Sequence, residues 1–198
     1  MIKRPTNWDT VKEFSDRQKL PLGAYVCKIR KAAVQSNEYG DQLCILFDIA
    51  EGEHKDYFDA DFKANTRADK KWKGVLRQFV PLDDGSEKDE WTKSSFKGLI
   101  TSVEKSNPGY VWNWDENSLN GKLIGILFRN EEWDYEGKTG WAVRPFRAIS
   151  TDSVRSGDFN LPADKPLKNK TAAATPSYGE YTSGGFSEIA DDDSTLPF

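Results

Sequence analysis

Basic and aromatic side chains are interleaved in three stretches of this sequence. FKANTRADKKWKGVLR (62–77) sets Lys63, Arg67, Lys70, Lys71, Lys73 and Arg77 around Trp72. GAYVCKIRKAAV (23–34) carries Lys28, Arg30 and Lys31, and Tyr39 follows in a polar turn. RNEEWDYEGKTGWAVRPFR (129–147) offers Trp133, Tyr135, Lys138, Trp141, Arg144 and Arg147. Cations neutralise phosphates and flat rings accept bases, so this combination suits a single nucleic-acid strand held without sequence readout. Glu131, Glu132, Asp134 and Glu136 crowd the third stretch and count against a phosphate path beside Trp133 and Tyr135, because like charges repel.

A different chemistry sits at the end of the chain, DDDSTLPF (191–198). Burying Asp191, Asp192 and Asp193 with the chain terminus is prohibitively costly without partners. Leu196, Pro197 and Phe198 therefore read either as a solvated, idle end or as a tip made to be held by another protein. Phe198 suits an apolar pocket while its α-carboxylate meets a base. The aspartates steer the tip toward a basic surface, and the same tail is expected to compete for the basic groove of its own chain when no strand is bound.

Charge is divided accordingly. The net charge is −4, yet all 28 Lys and Arg lie at or before Lys170. Beyond it stand Glu180, Glu188 and the three aspartates, with no base. A near-neutral body and an acidic tail are the pattern of a folded part with an interaction segment. Residues 170–198 are rich in Ala, Thr, Ser and Gly and cannot bury enough apolar area to offset ordering entropy. They read as a disordered linker with a recognition tip.

The body must position the candidates. Residues 23–34 and 42–51 read as strands of a hairpin, and 56–62 as a third, shorter strand. Trp72, Val75, Leu76 and Phe79 recur at helical spacing and predict a helix over 68–80. A second helix is expected over 90–107, with Phe96, Leu99, Ile100 and Val103 as its stripe and NPG (107–109) as its stop. Residues 119–133 and 140–150 form a second hairpin about Gly137 and Gly140. Trp112 and Trp114 alternate in YVWNWDE and are expected to share one face. Five strands with a helix between the third and fourth are the topology of a five-stranded OB-fold barrel, mainly β, with a small sandwich as the alternative. The expected organisation is an N-terminal arm (1–20), an OB-fold single-strand-binding domain (21–165) and a disordered acidic tail (166–198).

Other chemistries fit less well. Cys27, Cys44 and the single His54 are too few soft ligands for a structural zinc site. Asp56, Asp59 and Asp61 stand close enough to suggest Mg²⁺ in a nuclease, but carboxylates near a turn are more often solvated edges. No phosphate-cradling glycine loop occurs. The reading is a non-enzyme without cofactor. The lack of a signal peptide or a membrane-length apolar run predicts a cytoplasmic protein.

The order of elements, the DDDSTLPF tip and the segment NGKLIGILFRNEEWDYEGKTGWAVRPFRAIS (120–150), with SVRSGDFNLP after it, together resemble phage-encoded single-stranded DNA-binding proteins. Ser194, Thr195 and Leu196 separate the acids from Pro-Phe, a small departure from the family's usual tip. The resemblance implies a protein that coats and protects single-stranded DNA during phage replication or recombination in a bacterial host, and recruits replication or recombination proteins through the tip. It places Tyr39 in the first binding loop and Trp133 and Tyr135 in the second. Separately, pairing of strand edges is a conceivable route to an oligomer. The alternative is a protein-interaction factor that uses the same tail and has little affinity for DNA.

Overall fold

A computed structural model describes residues 3–10 and 19–167. The tip residues Asp191, Asp192, Asp193, Leu196, Pro197 and Phe198, with the rest of 168–198, lie outside the described residues, as do 1–2 and 11–18 of the expected arm.

The chain runs β1 (Ala24–Asn37), β2 (Gly40–Ile49), α1 (Tyr57–Ala64), β3 (Val75–Phe79), α2 (Glu87–Ser106), β4 (Leu123–Tyr135), β5 (Lys138–Ile149) and α3 (Thr151–Ser156). The five strands form one antiparallel sheet in the order β3-β2-β1-β4-β5. Both expected hairpins are present, and a helix stands between the third and fourth strands, so the connections are those of an OB-fold. The barrel is not closed by hydrogen bonds. β3 and β5 approach until Cα atoms come within 8 Å, yet they share no ladder. β3 is only five residues long, and Pro145 in β5 has no N–H to give.

β1 pairs with β4 over Ala24–Lys28, and the chain just before β4 continues the contact: Ile29 N–H donates to Lys122 O at 2.9 Å and Ala32 N–H to Asn120 Oδ1 at 2.9 Å. Beyond that, β1 is paired with β2. β4 beyond Leu127 pairs with β5 on one side, and on the other meets Gly23 at Phe128 and Lys165 at Asn130–Glu132. The core lies inside the curl, where Ile29, Ile45, Phe47, Ile124, Ile126 and Phe128 are all but inaccessible. Phe47 meets Phe58 edge-on at 5.4 Å between centroids, and α2 adds Phe96, Leu99 and Val103.

Helix α2 forms where its stripe predicts, and its ends show why. Ser86 Oγ accepts the N–H of Asp89 at 3.1 Å, a side-chain cap on an otherwise orphaned donor. At the other end Asn107 Nδ2 donates to the carbonyls of Val103 (2.7 Å) and Leu123 (2.8 Å), while its Oδ1 accepts Leu123 N–H. One side chain thus fixes where α2 stops and where β4 starts.

The middle of the chain differs from expectation twice. Residues 57–64 are helical rather than a strand. The buried carboxylate of Asp48 on β2 accepts the first-turn N–H groups of Phe58 and Asp59, each at 3.0 Å, and so caps α1 from a distant point in the sequence. Residues 65–74 are irregular, with a turn at 68–69, and lead into β3 rather than forming the helix expected over 68–80. Their helical spacing loses to a sheet edge that needs a partner: Phe47 N–H donates to Gly74 O at 2.8 Å, and Leu46 then faces Val75 in the ladder. Only glycine fits at 74, since a Cβ there would lie 2.4 Å from Phe47 O.

The domain begins slightly before its expected start. Leu20 belongs to the core, whereas residues 3–10 are exposed throughout. Among the described residues no helix is long and apolar enough to cross a membrane.

Candidate functional site

Where β3 and β5 fail to meet, the surface opens into a cleft of about 890 Å³. One wall is the run 65–74 with β3; the other is the stretch of β5 from Trp141 to Phe146. Lys19, Arg67, Lys70, Lys71, Lys73, Arg77 and Arg144 line it, against the carboxylates of Asp69 and Glu131. Glu131 is already engaged, because Arg129 holds it at 2.6 Å. Aromatic rings stand on both walls, Trp72 and Phe79 on one and Trp141 and Phe146 on the other.

Of the residues expected to contact a strand, Arg67, Lys71, Trp72, Lys73, Arg77, Trp141 and Arg144 meet here, although they come from separate parts of the sequence. The first wall is tied into the fold. Trp72 is half-buried, its indole N–H donates to Phe47 O at 3.0 Å, and its ring packs on Phe62 at 5.7 Å. The Arg30 guanidinium lies 4.7 Å from the Trp72 ring centroid. Arg30 is itself bound to Asp48 at 2.9 Å and Asp59 at 3.3 Å, and so serves as a brace behind the wall. Burial pushes the Asp48 carboxyl up, and the N–H groups of Phe58 and Ile49 and the charge of Arg30 oppose that. Lys63 pairs with Asp59 at 2.6 Å, and Lys73 reaches Asp61 at 3.0 Å while lining the cleft.

The three aspartates considered for a metal are thereby accounted for in part. Asp59 and Asp61 on α1 bind these bases, and Asp56 sits just before the helix in a left-handed conformation. Burial also pushes the Cys44 thiol up, against the lowering effect of Arg77 beside it. Cys27 is pushed up well above its usual range by burial.

The remaining candidates stand elsewhere. Lys28 and Lys31 are exposed on β1 and do not line the cleft. Tyr39 occupies the β1–β2 turn, where its N–H donates to Asn37 Oδ1. Trp133, Tyr135 and Lys138 are exposed on the β4–β5 arm. Trp133 lies across Gly140, where a Cβ would come within 2.7 Å of the indole, so the ring covers its cross-strand partner. Trp112 and Trp114 do not share a face. Trp112 packs on the core, whereas Trp114, at φ 64°, is 78% exposed beside Phe96.

Lys19 and Phe146 complete the cleft and were not among the candidates. Phe146 lies inside WAVRPFR, but nothing in that string distinguishes a cleft ring from a core ring. Lys19 carries no signal at all, because it reaches the site from the chain before β1. No family model matches the chain, and no curated protein matches it.

Proposed function

We propose that the chain binds single-stranded DNA without strong sequence preference, through the cleft between β3 and β5. The observation that carries this reading is the concentration of seven basic side chains and facing aromatic rings in one cleft, on a chain whose net charge is −4. A path of cations flanked by rings is what a phosphate backbone with unstacked bases requires, and sequence-tolerant stacking is worth about 1–3 kcal/mol per base. The choice of DNA, and a place in phage replication or recombination, rest on the resemblance of 120–150 and of the DDDSTLPF tip. The tip is proposed to recruit replication proteins by capture of its terminal Phe198 and carboxylate. The role is binding rather than catalysis.

The test is tryptophan fluorescence during titration with poly(dT), at about 50 and about 300 mM salt, where phosphate contacts differ strongly in strength. Quenching that weakens as salt rises supports the reading. No quenching and no binding at either salt removes it, and leaves the tail's protein partner as the function to pursue.

A further inference from the structure

β5 carries one residue more than β4 can pair. Leu127 faces Arg147 and Phe128 faces Pro145, which leaves Phe146 without a position in the ladder. A bulge of this kind re-aims the side chain it carries and is over-represented beside binding sites. The bulge falls at the end of the Trp141–Phe146 stretch that lines the cleft, and Phe146 is part of that lining. Its sequence neighbour Pro145 faces Phe128, which is fully buried. Phe146 is only half-buried and is not among the hydrophobic residues packed on the core.

The ring is also backed. The guanidinium of Arg129 stands 4.2 Å from its centroid, and Glu131 grips that guanidinium at 2.6 Å and 3.2 Å. The guanidinium of Arg147 stands 6.0 Å from the same centroid, so the ring sits among cations suited to a strand whose bases lie beside its phosphates. A side chain serving as core filler needs neither the bulge nor the brace. We infer that Phe146 is a base-stacking residue of the cleft. This rests on the reading of the cleft as a single-strand site.

Two measurements test it on the full chain. First, the unaltered protein is irradiated with oligo(dT) that carries 5-iodouracil, and the cross-linked peptide is mapped. Attachment at Phe146 is expected; attachment confined to Tyr39, Trp133 or Tyr135 overturns the inference. Second, Phe146→Leu is titrated with oligo(dT) and with an abasic oligomer of the same length. Loss of one stacked base, about 1–3 kcal/mol, corresponds to a fall in oligo(dT) affinity of about 5- to 150-fold. Affinity for the abasic oligomer should stay as it was, and Phe146→Trp should restore the loss. Equal affinity of Phe146→Leu and the unaltered chain for oligo(dT), or an equal loss on both oligomers, overturns the inference. If the leucine variant does not fold, the cross-link decides. If the unaltered chain binds neither oligomer, the reading of the cleft itself fails, which is visible before any variant is made.

Discussion

The two walls of the cleft are built on different plans. The wall of residues 65–79 is tied into the fold: Trp72 donates to a core-strand carbonyl and packs on the core, and Lys73 reaches back to α1. The β5 wall presents Trp141 and Phe146, neither of which packs on the core. The first wall therefore supplies position and charge, and the second supplies rings free of a structural duty. On the proposed reading of the cleft, grip could vary through one wall without loss of stability through the other.

The largest expected effect breaks the first wall. Gly74→Ala must displace Phe47 O or Phe58, both closer than 3.0 Å to the new Cβ. Urea unfolding should show a loss of about 3 kcal/mol. Next, Trp72→Ala should cost about 3 kcal/mol of stability, whereas Trp141→Ala should leave stability within about 0.5 kcal/mol of the parent. The same Trp141→Ala should weaken oligo(dT) binding by about 1–3 kcal/mol. Equal stability losses in the two tryptophan variants would abolish the distinction between the walls. A smaller effect tests charge. Arg67→Ala and Arg144→Ala, one from each wall, should each lower the slope of log affinity against log salt by about 1. Lys63→Ala, whose ammonium is held by Asp59 outside the cleft, should leave that slope unchanged. The smallest effect concerns the tip. Deletion of residues 191–198 should tighten oligo(dT) binding a few-fold at low salt if the aspartates compete for the two walls, and equal affinity in a gel-shift titration would count against competition.

The walls also differed in how far the sequence revealed them. The β5 wall was legible because both arms of its hairpin are β-prone and their turn carries Gly137. Helix α2 was legible from its stripe and the NPG stop. The helical spacing of Trp72, Val75, Leu76 and Phe79 predicts a helix over 68–80, but the competing demand comes from β2, far away in sequence. The strand expected at 56–62 failed for a similar reason, since the cap that starts α1 belongs to Asp48. The basic cluster around Trp72 was visible as a composition. That it faces Trp141 was not, because only the curl of the sheet brings β3 to β5. Phe146 was hidden more deeply still, since a bulge exists only relative to the partner strand's register.

The unjoined rims of the sheet have a consequence for the protein in concentrated solution. An exposed strand edge is a template on which further chains can pair and aggregate. Here one rim is only five residues long, with Lys73 just ahead of it and Arg77 within it. The other is interrupted by Pro145 and by the bulge at Phe146, and carries Arg144 and Arg147. Short length, charge, proline and bulges are the devices that blunt such edges. The features that shape the cleft therefore also guard against strand-to-strand self-association, so crowding many copies side by side need not seed a β-aggregate from this seam.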